Sequence, residues 1–265
     1  MSGMAGRVAI VTGAGRGLGR EMALGLARAG VRVVATAARE RAEVEQVATE
    51  IRREFDEARV LPLLADVTRE ADCERVVSAA LQHWQRLDIL VNNAGRGMKY
   101  VSERFLTEPT RFWEVTPETW RMVIETNVNG PFLMARSGTA YACSRLGRIV
   151  NMSMNHETMR RRGFSPYGPS KAALESETVI WAQDLEGTGF TVNALLPGGA
   201  ALTGMIPQDL DEHIRAQLLA PRVVVAPLLW LASQAADHIN GQRLLANCWR
   251  DADPAAAFRY DGWGA

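Results

Sequence analysis

The sequence predicts an α/β fold: a doubly wound parallel sheet with helices on both faces, formed by a single domain. Short apolar runs of strand character alternate with helix patterns along most of the chain, as in βαβ units with right-handed crossovers. The first run leads directly into a glycine-rich turn that opens a helix pattern. A length of 265 residues with 47% hydrophobic content suits one large α/β domain. Because no repeat, linker or low-complexity tract divides the chain, we expect one domain over residues 1–265.

The first predicted unit is a strand, a tight glycine turn and a helix. The apolar run at 8–11 is followed by Thr-Gly-Ala-Gly-Arg-Gly-Leu-Gly at 12–19, and a helix pattern continues to Ala29. Glycines in such a turn let the backbone bend sharply and approach a pyrophosphate, while the amides at the helix N-terminus face the phosphates. The spacing differs from the G-x-G-x-x-G of the standard dinucleotide fingerprint, so the turn alone does not identify the ligand.

The elements that follow alternate in the same way. They are a strand at 32–35, a charged helix at 43–55, a strand at 60–64, a helix ending near Trp84 and a strand at 88–91. Asn-Asn-Ala-Gly at 92–95 follows the last of these strands, and Asn127 lies in Thr-Asn-Val-Asn-Gly. A later strand at 191–196 leads into Pro197 and Gly198. We therefore expect several polar and glycine-rich segments at the ends of neighbouring strands.

The stretch 96–117 departs from this regular alternation. It is long and rich in large apolar side chains, namely Met98, Tyr100, Phe105, Phe112 and Trp113. Long loops in compact domains are commonly functional. One interpretation is that the stretch shapes a substrate pocket; the other is a surface excursion or a subunit contact.

Tyr167 and Lys171 are four positions apart in Tyr-Gly-Pro-Ser-Lys and therefore fall on the same face of a helix. A free tyrosine has a pKa near ~10, and a fixed cation beside it stabilises the phenolate and lowers that pKa. The pair is a candidate proton donor and acceptor. Without its context it is also compatible with a surface tyrosine beside a solvated lysine.

Taken in this order, the glycine turn, the 92–95 segment, Asn127, the Tyr167 and Lys171 pair, and the Pro-Gly after the later strand resemble the short-chain dehydrogenase/reductase family, in its single-domain branch. The resemblance runs from about Arg7 to the Gly-Gln segment at 241–242. It implies a Rossmann-like fold with a cofactor half at roughly 7–150 and a catalytic and substrate half at roughly 151–250.

The activity implied by the resemblance is hydride transfer between a nicotinamide and a carbon bearing oxygen, on a small-molecule carbonyl or alcohol substrate. Tyr167 would be the general acid/base. Lys171 would bond the nicotinamide ribose and lower the phenol pKa. Asn127 would hold a water that links Lys171 to solvent; a structural role at a helix irregularity is the alternative.

The resemblance also assigns the cofactor-binding residues. Asp66 and Val67 correspond to adenine contacts, although Asp66 also suits a helix N-cap. Asn93, Ala94 and Gly95 correspond to the cofactor-side floor. The full set is Gly13, Gly15, Arg16, Gly17, Leu18, Gly19, Ala37, Arg39, Asp66, Val67, Asn93, Ala94, Gly95, Tyr167, Lys171, Pro197 and Gly198.

The end of the second strand indicates which nicotinamide cofactor is preferred. An acidic side chain there would bind the ribose hydroxyls of NAD, whereas a neutral residue with nearby arginine would admit the 2′-phosphate of NADP. Ala37 occupies the position of the acid, and Arg16 and Arg39 are placed to reach a phosphate. The sequence favours NADP, with NAD as the alternative.

One position departs from the family pattern. The family has a serine or threonine thirteen residues before the tyrosine, where this chain has Met154, and a thioether donates no hydrogen bond. Ser153 is the candidate substitute, but adjacent strand residues point to opposite faces, so it reaches the site only if the strand has ended or bulged. Asn155 and His156 are further candidate donors. An alternative function is therefore a cofactor-binding relative that has reduced or lost catalysis and acts as a sensor or structural subunit.

Composition limits the partners. Thirty basic and thirty acidic side chains balance, which argues against nucleic acid or an anionic membrane as partner. The cysteines Cys73, Cys143 and Cys248 have no metal-type spacing, so we expect no metal site. Residues 1–7 lack an apolar signal core and no apolar stretch approaches membrane-spanning length, so we expect a cytoplasmic protein.

The helix after Tyr167 predicts self-association. It carries more apolar surface than one side of a single sheet needs to cover, and members of the family that resemble this chain associate through that helix. We expect a homodimer or homotetramer. The apolar residues are Ala172, Ala173, Leu174, Val179, Ile180 and Trp181.

Overall fold

Seven parallel strands form one sheet in the computed structural model, which describes residues 3–141, 147–207 and 210–259. The order across the sheet is β3-β2-β1-β4-β5-β6-β7, so the chain winds outward in two directions from the centre. This is the predicted Rossmann-like, doubly wound, single-domain fold. The strands are β1 (Val8–Val11), β2 (Arg32–Ala37), β3 (Val60–Leu64), β4 (Ile89–Asn92), β5 (Arg148–Met152), β6 (Thr191–Leu196) and β7 (Arg243–Leu245).

Alternate residues of the central strand face two separate apolar cores. In β1, Ala9 and Val11 belong to one cluster, and Val8 and Ile10 belong to the other, as the period of two along a strand requires. A strand buried on both faces reads as a continuous apolar run. Helices cover both clusters.

The helices that cover the first face are α1 (Gly17–Arg28), α2 (Arg41–Glu54) and α9 (Val225–Leu231). The second face is covered by α3 (Glu70–Trp84), α5 (Gly130–Tyr141) and α7 (Tyr167–Asp184). The remaining helices are α4 (Pro117–Ile124), α6 (His156–Met159) and α8 (Glu212–Ala216). A π-helical segment, Glu125–Asn129, joins α4 to α5.

The sheet positions the site because its strand order reverses between β1 and β4. Loops leaving the carboxyl ends of two such strands run in opposite directions and leave a crevice, where ligands bind in folds of this kind. The glycine turn follows β1 and the Asn-Asn-Ala-Gly segment begins at the end of β4. Both motifs therefore lie at this crevice.

Other observations concern membranes and metals. Within the described ranges, no helix combines the length and apolar character needed to cross a bilayer. The same residues include no cluster of three or more His, Cys, Asp or Glu side chains arranged to hold a metal ion. Cys73 is buried and Cys248 is half-buried, and both are free thiols. Cys143 lies outside the described residues.

Candidate active site

A cleft of about 620 Å³ opens at the carboxyl ends of β1, β2, β3 and β4. Its walls are the glycine turn, the end of β2, the segment after β3, the floor that follows β4, and the segment after β6. From the proposed cofactor set it contains Gly13, Gly15, Arg16, Gly17, Leu18, Gly19, Ala37, Arg39, Asp66, Val67, Asn93, Ala94 and Gly95.

The glycine turn needs glycine for two separate reasons. Gly13 and Gly17 have φ values of +64° and +57°, a region that favours residues without a side chain. Close approach is the second reason: a Cβ on Gly13 would lie 2.9 Å from the Cα of Ala94, and one on Gly19 would collide with the carbonyl of Gly13. The turn therefore packs directly on the floor of the cleft and keeps its backbone open to a phosphate.

Thr12 joins the turn to the floor. Its hydroxyl accepts hydrogen bonds from the backbone amides of Asn93 and Ala94, both at 3.0 Å, and donates to the Val91 carbonyl at 3.2 Å. The Asn93 side chain donates back to the carbonyls of Thr12 and Gly13 at 2.8 and 3.0 Å. Sequence reasoning placed Thr12 in the motif without giving it a role. Its side chain fixes the relative position of two segments that line the cleft.

The far end of the cleft lies beside β2. Ala37 is the last residue of β2 and is buried, whereas Arg39 is exposed. Arg16 lies 3.2 Å from the Glu43 carboxylate, measured from Nη1 to Oε1. Glu40 and Glu43 also line the cleft, and the sequence analysis did not foresee either of them. The end of β2 thus carries no carboxylate, but two carboxylates stand on the adjoining segment.

The N-cap interpretation of Asp66 is wrong. Helix α3 begins at Glu70 with Arg69 as its capping residue. The Asp66 carboxylate instead accepts hydrogen bonds from the amide and hydroxyl of Thr68, at 3.0 and 2.8 Å. These bonds close a short turn that holds Asp66 and Val67 at the wall of the cleft.

Asn127 lies in the π-helical segment and is fully buried. Its Oδ1 accepts a bond from the Arg96 amide at 2.8 Å, and its Nδ2 donates to the Arg96 carbonyl and to Ser170 Oγ, both at 2.9 Å. Single π turns inside helices are frequent at functional sites. Here the Asn127 side chain ties the segment after β4 to α7, which carries the tyrosine and the lysine.

Tyr167 is the first residue of α7, and Lys171 follows one turn later. The Lys171 ammonium donates to the Met152 carbonyl at 2.8 Å. Burial lowers the pKa of Lys171 to about 8, and the nearby Glu175 carboxylate opposes part of that shift. For Tyr167, desolvation dominates and raises the pKa to about 12. Desolvation is the only cause of this shift, and the expected lowering of the phenol pKa by the Lys171 cation does not accompany it.

The apolar surroundings of Tyr167 explain its desolvation. An apolar cluster packs against Tyr167 and against Ala172 of the same helix, and we call it the substrate-side cluster. Two of its members come from the 96–117 loop and the others from the chain between β5 and α7. Its buried members are Met98, Phe105, Met154, Met159 and Phe164.

One half of the 96–117 loop agrees with the pocket interpretation, and the other half agrees with the surface interpretation. Met98 and Phe105 are buried in the substrate-side cluster, as the pocket interpretation predicts. Phe112 and Trp113 are 70% and 66% exposed and stack edge to face at 5.0 Å. The first half of the loop therefore approaches the tyrosine, and the second half is a surface excursion.

Ser153 and Met154 face opposite environments. The Ser153 hydroxyl donates to Glu175 Oε1 at 2.7 Å, and both residues are buried. Met154 belongs to the substrate-side cluster beside Tyr167. Although β5 ends at Met152, the alternation of sides continues through both residues, and the Ser153 amide still donates to the Leu195 carbonyl. The methionine, and not the serine, lies on the tyrosine side.

Glu175 is the centre of a buried polar cluster behind the tyrosine and lysine. His156 Nε2 and Arg243 Nε lie 3.2 and 2.9 Å from Glu175 Oε2. The cluster joins the end of β5, α6, α7 and β7. Sequence reasoning missed Glu175 and Arg243 because charged residues in a helix and at a strand start usually face solvent. His156 was a candidate substrate donor, and here its ring nitrogen is engaged by Glu175.

The segment after β6 closes the cleft from above. Pro197 and Gly198 are held by Asn247, whose amide donates to the Pro197 carbonyl at 3.1 Å and whose side chain donates to the Gly198 carbonyl at 3.2 Å. Neither residue is part of the cleft wall. The residues that do reach it from this segment are Thr203, Gly204 and Met205, which the sequence analysis did not identify.

Comparison with known proteins identifies a group to which this chain is similar. The family described as short chain dehydrogenase matches residues 7–213. A 3-oxoacyl-acyl-carrier-protein reductase from Synechocystis sp. is 30% identical over 254 residues, covering 91% of this chain and 96% of that protein. The chloroplastic NADPH-dependent aldehyde reductase 2 of Arabidopsis thaliana is 32% identical, with coverage of 92% and 93%.

The fold shows the same similarity. The crystal structure of a 3-ketoacyl-(acyl-carrier-protein) reductase from Brucella melitensis, complexed with NADH, superposes with a TM-score of 0.79 at 31% identity. The match covers 92% of this chain and 97% of that one.

Proposed function

The chain belongs to the short-chain dehydrogenase family, and on that premise we propose that it is an NADP(H)-dependent oxidoreductase acting on a small-molecule carbonyl or alcohol. The observation that carries the proposal is the position of Tyr167 and Lys171. They stand on one helix face, tied through Asn127 to the floor of a glycine-lined cleft. Two proteins similar to this chain are named as a 3-oxoacyl-acyl-carrier-protein reductase and an NADPH-dependent aldehyde reductase.

The cleft suits a dinucleotide. Side chains on Gly13 or Gly19 would fill the cradle or collide with its backbone. The first residues of α1, 17–19, line the cleft, and the N-terminus of a helix favours a phosphate. The bound nicotinamide would supply or accept the hydride. Every other part of the reaction falls to residues of the chain.

Proton transfer is assigned to Tyr167. With the pKa of its phenol raised to about 12, the side chain holds its proton at neutral pH and donates it to the carbonyl oxygen of a substrate. Lys171 stays largely protonated at neutral pH, because its pKa is lowered only to about 8. In the proposed role this ammonium bonds the nicotinamide ribose beside Tyr167, and Asn127 positions a water that returns a proton from solvent.

The substrate is expected to be apolar beside the reacting carbon. Met154 and the rest of the substrate-side cluster offer thioether and aromatic surface there. The second hydrogen-bond donor of the family pattern is absent at position 154, and Ser153 is held by Glu175. Tyr167 is therefore the principal donor to the substrate oxygen.

The proposed preference for NADP(H) rests on charge at the end of β2. Ala37 offers the ribose hydroxyls no carboxylate, and Arg16 and Arg39 line the same part of the cleft. One relative is named as NADPH-dependent, while one similar structure contains NADH. We propose that NADPH binds at least about tenfold more tightly than NADH, which is about 1.4 kcal/mol.

The test combines binding with turnover. Fluorescence titration should give a lower Kd for NADPH than for NADH, and Ala37→Asp should move the ratio toward NADH. A panel of aldehydes and ketones should support NADPH oxidation that Tyr167→Phe abolishes.

An alternative function is a cofactor-binding protein without turnover, and Met154 is the observation that favours it. Stoichiometric NADPH binding with no oxidation across the whole panel would support that alternative. Failure to bind either nucleotide would contradict both functions.

A further inference from the structure

One of the two arginines that face the proposed phosphate position is already paired. Arg16 Nη1 lies 3.2 Å from Glu43 Oε1, and both side chains line the cleft. Arg39 lines it as well, and within the described part of the chain no carboxylate lies within ion-pair distance of its guanidinium. The two arginines therefore differ in the competition that a phosphate would meet.

The pairing is built into the glycine turn. Glu43 stands in the first turn of α2, and its Cβ would lie only 2.9 Å from a Cβ on Gly15. Since glycine occupies position 15, the glutamate rests directly against the turn. On the other side the Arg16 guanidinium lies beside Gly204, where its Cζ would be in ordinary contact, at 3.5 Å, with a Cβ at that position. The arginine lies between Glu43 and the segment after β6.

We propose that Glu43 is a specificity-determining residue: its carboxylate competes with the cofactor 2′-phosphate for Arg16 and so reduces the preference for NADP(H) over NAD(H). The inference rests on the proposed cofactor function. To bind Arg16, the 2′-phosphate of NADP(H) must displace the Glu43 carboxylate. The free 2′-hydroxyl of NAD(H) does not need to displace it.

The solvent exposure of the Arg16 and Glu43 side chains limits how much their ion pair can change the Kd for NADPH. The Arg16 and Glu43 side chains are 62% and 33% exposed, and exposed ion pairs change an equilibrium constant by no more than about fivefold. Removing the carboxylate also removes its repulsion from a bound phosphate. We therefore expect Glu43→Gln to lower the Kd for NADPH about three- to fivefold and to leave the Kd for NADH within about twofold.

Glu45→Gln is the matched control. Glu45 lies on the same helix and pairs with Arg41 and Arg52, at 3.4 and 3.9 Å, outside the cleft. Both substitutions remove one negative charge from α2. A gain confined to Glu43→Gln therefore reports the local contact and not the net charge.

The experiment is a set of Kd measurements by fluorescence titration for NADPH and NADH, with both variants also made in an Arg16→Gln background. We expect the NADPH gain of Glu43→Gln to disappear when Arg16 is absent, because nothing remains to be released. Circular dichroism confirms that each variant is folded.

Three outcomes overturn the inference. They are an equal effect of Glu43→Gln and Glu45→Gln, a gain that persists without Arg16, and a loss of NADH affinity in Glu43→Gln, which would make the glutamate a ribose ligand. A wild-type protein that binds neither nucleotide would instead contradict the proposed function itself.

Discussion

Position 154 is where this chain differs most consequentially from its family pattern. A hydroxyl at this position would face the substrate oxygen beside Tyr167, and one oxyanion donor is typically worth about 10²- to 10³-fold in rate. We predict that Met154→Ser raises kcat on a simple ketone by roughly tenfold or more. Steady-state kinetics, with Tyr167→Phe as the inactive reference, measure the gain. An unchanged kcat on small ketones would contradict the placement of residue 154 beside the substrate oxygen.

The companion variant Ser153→Ala should behave differently. The Ser153 hydroxyl donates to the buried Glu175 carboxylate, so its removal leaves a charged group with one donor fewer. We expect a stability loss of roughly 1–3 kcal/mol in chemical denaturation and little change in kcat. A large loss of kcat at unchanged stability would show that Ser153 reaches the substrate.

Lys171 should set the alkaline limit of carbonyl reduction. Its pKa is lowered to about 8 by burial, while the pKa of Tyr167 is raised to about 12. As pH rises through about 8, the lysine loses the charge with which it is proposed to hold the nicotinamide ribose, although the tyrosine still holds its proton. We predict that kcat/KM for reduction falls above about pH 8. NADPH binding measured over the same range separates chemistry from affinity, and a profile that stays level to pH 10 would contradict the assignment.

At the scale of elements, the 96–117 loop divides into a packed half and an exposed half. Phe105 is buried and meets Phe164 edge to face at 6.0 Å, whereas Phe112 is exposed. We predict that Phe105→Ala raises KM several-fold for an apolar substrate and lowers stability by about 3–5 kcal/mol. Phe112→Ala on the same loop is the control and should change neither. Equal effects of the two variants would rule out a pocket role for the first half of the loop.

Several elements could be predicted from the sequence because their signals are local. The bounds of β1, β3 and β6 agree with the predicted runs. Only β1 is both unbroken in apolar residues and fully buried, as a strand covered on both faces should be. β2 extends two residues beyond its predicted end, to Ala37, because pairing with β3 continues there. The glycine turn and the segment after β4 both line the cleft, and their role in binding a cofactor stays a prediction.

The parts that escaped prediction depend on contacts between distant segments. Glu175 meets Arg243 68 positions later in the chain, and no local pattern marks a helical glutamate as buried. The expected lowering of the Tyr167 pKa by Lys171 was also not found. The ammonium reaches the Met152 carbonyl instead, which only the packing of α7 on β5 decides.

At the scale of the whole molecule, part of the apolar surface of α7 is buried within the protomer and part of it remains exposed. Leu174 is buried and Trp181 packs on the core of the second face, whereas Ile180 remains 50% exposed. We predict a homodimer or homotetramer in which α7 contacts a second copy, and Ile180→Arg should shift the mass toward the monomer. Light scattering at micromolar concentration measures this. A monomeric wild-type protein would contradict it.

Glu177 on the same helix should make stability depend on pH. Burial raises its pKa to about 7 from an ordinary value of 4.5, and within the described residues its Oε2 has no hydrogen-bond partner. A folded-state pKa above the unfolded value means that stability is greatest below about pH 4.5 and is lost as pH rises through about 7. We predict that Glu177→Gln raises the melting temperature at pH 8.5 and has much less effect at pH 5. Glu186→Gln, at an exposed position, is the control; an equal shift at both pH values would contradict the prediction.

The π turn at Asn127 has a consequence for the length of the chain. Successive side chains of an α-helix point in directions about 100° apart. The wider π turn accommodates one extra residue between α4 and α5, and both helices keep their regular geometry. Asn127 points at the floor while Met134, farther along, still packs beside α3. Inserting or deleting one residue here would turn either the amide or the core face of α5 away from its partner. The exposed half of the 96–117 loop carries no such constraint on its length, whereas the number of residues from Pro117 to Met134 must satisfy both contacts at once.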